Sequence, residues 1–235
     1  MERANYYSMP AHHPRVIGTR HMVASAHYLA AQAGLEVLEA GGNAIDAGVA
    51  GGIALTVLQC EFVNFAGVAP IIVHLAKTGQ TITISGLGPW PKAASAEYFR
   101  RNHGGEIPPG IMRTVVPGGA DAWITALDRF GTMSFAEVSS SAIRFATEGF
   151  AVQAIVPDII SQYTNIFSKW PQNAAVYLPG GSLPKPGDRF YQKDVATVLR
   201  YMAEEERSAR ARGDRHAGLA AARAVASVRK VMEMA

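Results

Sequence analysis

A chain of 235 residues, 49% apolar and 17% charged, is long enough to bury a sizeable core and reads as one globular domain over residues 1–235. Its net charge of +3 gives no electrostatic footprint for nucleic acid, and one cysteine, Cys60, excludes an internal disulfide and fits a reducing, cytoplasmic setting. The uncharged run of the small-residue segment, residues 47–59, falls short of the ~20 residues a membrane span needs, so no membrane association is expected.

Residues 1–20 show no periodicity and read as an N-terminal arm. Met1 to Tyr7 has no apolar run, so no leader peptide is expected there. His12 and His13 are adjacent and point to different sides of the backbone, and no histidine has ligand spacing to Cys, Asp or Glu. No metal and no cofactor are expected. Ser25 can cap a helix running to about Glu39, with Tyr28, Ala31, Leu35 and Leu38 at helical spacing and Gly41 as its stop. Asn43 then caps a second helix, and Asp46 three residues on completes a short capping box. That helix carries Ala47, Gly48, Ala50, Gly51, Gly52 and Ala54. Each interior glycine costs about 1 kcal/mol against alanine, so the run predicts very close packing, against a sheet on one side and neighbouring elements on the other.

After Pro70 the apolar period changes. Ile71 to Leu75 and Thr81 to Ser85 flank Lys77-Thr78-Gly79-Gln80, which predicts a β-hairpin with His74 packed or at an edge. Gly86-Leu87-Gly88-Pro89-Trp90-Pro91 breaks the second strand and lacks the pattern of a dinucleotide site. A helix is expected over residues 120–130, closed by Gly131. Ser134-Phe135-Ala136-Glu137 is a full capping box for a helix to about Glu148, with Phe135, Val138, Ala142 and Phe145 as the buried stripe. Residues 151–171 read as helical and then irregular, ending at Trp170-Pro171. From Asp194 to Ala235 the chain reads as helical, with its charged middle around Glu204 to Arg215 on a solvated face.

The common catalytic signatures are missing: no nucleophile elbow, Walker loop, paired-cysteine motif or zinc-protease motif occurs. Ser139-Ser140-Ser141 lies within a predicted helix without a lysine nearby and reads as helix surface, not as a serine amidase. Cys60 sits at a helix C-terminus beside Glu61, where the dipole raises a thiol pKa, and reads as a packed residue.

The ordered motif set resembles a known family. Gly41-Gly42-Asn43-Ala44-Ile45-Asp46-Ala47 with its Ala/Gly helix is similar to the opening of γ-glutamyltranspeptidases and the related cephalosporin acylases and amidohydrolases. The likeness continues through Asn64-Phe65-Ala66-Gly67, residues 117–123, residues 129–134 and residues 146–152, in that order. The resemblance implies an α/β (α+β) fold, part of the four-layer αββα sandwich of N-terminal nucleophile hydrolases, completed by a second chain. It also implies that this chain is the large-subunit portion and holds no catalytic residue. A small partner chain would carry an N-terminal threonine activated by its own α-amino group, whose ordinary pKa near ~8 suits a base at neutral pH.

The resemblance places Asn64, Phe65, Leu87, Gly88 and Arg113 as substrate-binding candidates. Transpeptidases of the family hold the α-carboxylate of the γ-glutamyl group with an arginine in an Asp-Phe-Arg-Glu pattern. Leu87 stands at that position, so the expected substrate is a small amide without the amino-acid carboxylate, unless Arg113 substitutes. The family's glycine run is replaced by Ala66-Gly67-Val68-Ala69-Pro70, which predicts a reshaped pocket. Two functional readings follow: an amide hydrolase or acyltransferase assembled as an αβ pair or a higher αβ oligomer, and a catalytically inactive structural or regulatory homologue.

Overall fold

The computed structural model describes residues 16–226. His12-His13 and the C-terminal residues 227–235 lie outside them, as does most of the N-terminal arm.

The first helix, α1 (Tyr28–Glu39), begins two residues later than the Ser25 cap predicts, because His27 does the capping. Its Nδ1 accepts a hydrogen bond from the Leu29 N–H at 3.1 Å. The ring is fully buried, stacked on Tyr28 and edge-on to Phe150. Burial lowers its pKa, in keeping with a neutral ring whose Nδ1 is an acceptor. The buried face of α1 is Ala30, Ala33, Gly34 and Val37, so the predicted stripe is rotated away from the core. Tyr28 is 63% and Leu35 43% exposed. The cause is the second helix, α2 (Ala44–Leu58), which approaches so closely that only small residues fit between them. A side-chain carbon at Gly34 would stand 3.0 Å from the Ala47 carbonyl oxygen.

Helix α2 is the hub of the fold and is buried along nearly its whole length. Its predicted capping box is present: Asn43 Oδ1 accepts from the N–H of Ile45 and Asp46, and Asp46 Oδ2 accepts from the Asn43 N–H at 2.9 Å. Asp46, with no exposed surface, also accepts from the N–H of Thr132 and Met133 and from the Thr132 hydroxyl. Asn43 Nδ2 donates to the Phe130 carbonyl at 2.7 Å. The hinge before α2 is thereby tied to the turn that follows α4 (Gly119–Phe130), far along the chain.

The predicted hairpin is β1 (Ile71–Leu75) against β2 (Gln80–Ile84), antiparallel, with Val73 opposite Ile82. His74 lies on its exposed face, with Nδ1 3.0 Å from the Thr81 hydroxyl across the ladder. Beside β1, α2 leaves a groove of about 490 Å³ lined by Ile45, Gly48, Gly52, Val68, Ile71 and Val73. The sheet expected against α2 is thus a two-stranded hairpin with open space next to it.

A short α3 (Ala96–His103) precedes α4, and the capping box at Ser134 opens α5 (Phe135–Val138). The chain bends at Ser139 into α6 (Ser140–Glu148), so the one predicted helix is two. Its stripe of Phe135, Val138, Ala142 and Phe145 is buried as expected. The serines are not surface residues throughout: Ser139 and Ser141 are buried and only Ser140 is exposed. Ser141 donates to the Glu36 carboxylate at 2.6 Å, which ties α6 to α1.

A two-residue strand β3 (Phe150–Ala151) pairs antiparallel with β4 (Arg189–Phe190). Between them run α7 (Ile155–Gln162), α8 (Thr164–Phe167) and α9 (Pro171–Tyr177). Pro171 opens α9 and does not end the helical stretch, since proline at a first helical position needs no N–H partner. The C-terminal segment divides into α10 (Lys193–Arg210) and α11 (Arg215–Ala226), joined by a turn at the charged middle.

Two charged residues of that middle are structural, contrary to the solvated face predicted. Glu206 is 1% exposed and accepts from the N–H of Phe135 and Ala136, both at 2.7 Å. Arg215 donates to the carbonyls of Leu127 at 2.6 Å and Met133 at 3.2 Å. The alternation of opposite charges in sequence did not reveal that their partners are backbone groups of distant segments.

Candidate functional site

Three loops meet at the start of α4, and backbone hydrogen bonds join them. The Gly67 carbonyl accepts from the N–H of Gly118 and Gly119 at 3.0 and 2.9 Å. Ala69 donates to the Gly86 carbonyl at 3.0 Å, and Val116 donates to the Pro89 carbonyl at 3.1 Å. The loop after α2, the loop after β2 and the turn before α4 are therefore one unit.

Only glycine fits at the two ends of the bridge in its middle. Gly86 has φ +57°, and a side-chain carbon there would fall 2.0 Å from the Ala69 carbonyl oxygen. At Gly88 that carbon would fall 1.3 Å from the Val116 carbonyl oxygen. Leu87, held between them, is 61% exposed. An apolar side chain presented to solvent by a backbone clamped on both sides is a contact surface and not a core residue. Val68 and Val116, on the two neighbouring loops, are 43% and 41% exposed.

Of the predicted substrate-binding residues, the clamp brings together the loops that carry Asn64, Phe65, Leu87 and Gly88. Asn64 is exposed at the bend, its carbonyl accepting from the Gly67 N–H at 3.0 Å. Phe65 is half-buried against the Trp123 ring, with centroids 5.4 Å apart. Arg113 is engaged elsewhere: its Nε donates to the Ile107 carbonyl at 2.8 Å, and it lines a separate cleft with Trp90, Gly105 and Glu106. Sequence reading took Gly86 only as a strand break and Gly118 and Val116 only as part of a turn, and missed that they build the clamp. The alternation of glycine and one large apolar residue was the available signal.

Among the described residues, no side chain near the clamp is arranged as a nucleophile. Cys60 is pushed up to about 12, first by burial and then by the Glu61 carboxylate, while its hydrogen bond to Tyr177 acts weakly the other way. Burial, with Cys60 and the Glu61 carboxylate beside it, raises Tyr177 as well. Both Glu61 oxygens are buried without a hydrogen-bond partner among the described residues, and burial raises its pKa. This cluster lies between the end of α2 and α9 and stays protonated at neutral pH at the thiol and the phenol. Ser140 donates to the Glu137 carbonyl, so its hydroxyl serves the helix bend. Among the described residues, no three His, Cys, Asp or Glu side chains come together as a metal site.

The family model for gamma-glutamyltranspeptidase matches residues 30–222. An acylase ACY 1 proenzyme from Pseudomonas sp. (strain SE83) is 37% identical over 198 residues, covering 80% of this chain and 35% of that relative. The glutathione hydrolase proenzyme of Bacillus subtilis (strain 168) is 34% identical over 189 residues, covering 78% of this chain and 32% of that relative. The chain thus spans about a third of the length of the curated relatives it matches. Among solved structures, the cephalosporin acylase of Bacillus halodurans superposes with a TM-score of 0.73 at 28% identity, covering 96% of this chain and 45% of that one. The match to the family model over most of the sequence, joined to that shared fold, makes this chain a member of the gamma-glutamyltranspeptidase family.

Proposed function

We propose that this chain is the large-subunit portion of an amide hydrolase or acyltransferase, and that a second, smaller chain supplies the nucleophile as its N-terminal threonine. The threonine hydroxyl attacks the amide carbonyl while its own α-amino group takes the proton. The amine leaves, and water or another amine resolves the acyl-enzyme. This chain contributes the clamped loops that hold the acyl group and the scaffold that receives the second chain. The groove between α2 and β1 and the hairpin edges, unpaired among the described residues, are the surface that second chain would cover.

The observation that carries the reading is an outward-facing Leu87 on a clamped backbone, with no side chain among the described residues poised as a nucleophile beside it. The substrate end that meets Leu87 is uncharged, because an apolar side chain cannot pair with a carboxylate as a guanidinium does. Glutathione hydrolase and acylase are the names of relatives; the substrate proposed here is a small amide lacking the amino-acid carboxylate.

Leu87→Arg in the two-chain protein tests this. A charge-assisted pair stabilises by about 1.5–3 kcal/mol, so hydrolysis of a γ-glutamyl anilide should rise at least about tenfold in kcat/KM. No gain, with the variant still folded, contradicts the assignment of Leu87 to the acyl site.

A further inference from the structure

Residues 90–115 leave the clamp and return to it. Pro89 and Val116, the residues on either side, are joined by the Val116 N–H and the Pro89 carbonyl. Among the described residues, every hydrogen bond and ion pair made by residues 90–115 stays inside the segment. Ser95 caps α3 through the Tyr98 N–H, Arg101 pairs with Glu97, and Arg113 bonds the Ile107 carbonyl. The Gly105 N–H reaches the Phe99 carbonyl, and the Arg113 N–H the Gly110 carbonyl.

The segment also has its own small aromatic centre. Phe99, its one buried residue in α3, packs against Trp90 at 6.2 Å, Tyr98 at 5.4 Å and His103 at 6.0 Å. Beyond its base, it rests on the protein where Gly110 faces Trp170, whose ring a side-chain carbon at Gly110 would meet at 3.4 Å. A closed excursion with internal bonds and an internal core, tied at its two ends, is built like a loop that moves as one body. Its two stems run directly into Gly88 and Val116, the contact that holds Leu87 in place.

We propose that residues 90–115 form a hinged lid, resting on Trp170, that closes over the acyl group held at Leu87. The inference rests on the acyl-site reading above for its function, and on the segment's isolation for its motion. Lids of this kind exclude water and complete a site once substrate is bound, and their opening often limits turnover.

Two measurements test it separately. Hydrogen exchange on the unaltered two-chain protein should show amides of residues 96–113 opening together, at least tenfold faster than those of α2 and α4. Exchange as slow as that of α4 overturns the hinge. In the double variant Ile111→Cys with Trp170→Cys, a bismaleimide linker carrying a cleavable disulfide fastens the lid to its rest. Cys60 is half-buried and is replaced by alanine in that background, so that the two introduced thiols are the targets on this chain. Fastening should lower kcat/KM for an anilide at least tenfold, and cutting the linker should restore it. Equal turnover before and after cutting overturns the lid. If the two-chain protein hydrolyses no amide at all, the proposed function fails, while exchange still decides whether the segment moves as a unit.

Discussion

Replacing Asp46 by alanine should destabilise the chain by about 3–5 kcal/mol, near the upper end of single-substitution effects. The carboxylate has no exposed surface and gathers the N–H groups of Asn43, Thr132 and Met133 and the Thr132 hydroxyl. Removing it leaves donors from two distant segments without an acceptor, at about 1–3 kcal/mol each before relaxation toward water. The hinge ahead of α2 and the turn after α4 would lose their connection together. Asp46→Asn keeps the shape but turns an NH₂ group toward N–H donors, so it should recover less than half of the loss. Denaturant unfolding of both variants measures this. A loss under about 1 kcal/mol for Asp46→Ala would mean that Asn43 alone holds the junction through the Phe130 carbonyl.

The second large effect is expected at Glu206. Its two oxygens accept the Phe135 and Ala136 N–H groups at 2.7 Å, so one side chain of α10 fixes the start of α5. The glutamate stem also fills the contact with α11, where Gly218 would place a side-chain carbon 3.1 Å from Glu206 Cγ. Glu206→Ala removes two charge-assisted bonds and opens a cavity, for a loss of about 3–4 kcal/mol. Glu206→Gln preserves the volume and one acceptor, and its loss should be about half that. The paired variants separate hydrogen bonding from packing: equal losses would assign the effect to charge. Unfolding transitions followed by circular dichroism check both.

What could be read from the sequence depended on the range of the interaction. Capping boxes at Asn43 and Ser134 are local, and both stand where the residues put them. The hairpin followed from alternation around a turn, although β2 begins one residue earlier than the residues suggested, with Gln80 already paired to Leu75. The phase of α1 did not follow from its own apolar spacing, because the close approach of α2 excludes Tyr28 and Leu35 from the interface. Glu206 and Arg215 looked like members of a charged run, since their partners are backbone groups more than sixty residues away. At the candidate site, motif resemblance named Asn64, Phe65, Leu87 and Gly88, but the clamp that unites their loops is built from backbone atoms. Arg113, placed there only as a cation of the right charge, bonds its own segment.

The proposed division of labour gives this chain the acyl site and the scaffold, and another chain the attacking group. Its most direct measurement is N-terminal sequencing of the smaller chain that purifies with it, joined to an amide-hydrolysis assay of each chain alone and of the two combined. A smaller chain beginning with threonine, with activity only in the combination, is the predicted result. A partner beginning with a residue other than threonine, serine or cysteine would favour the inactive homologue. Hydrolysis by this chain alone would contradict the division of labour outright.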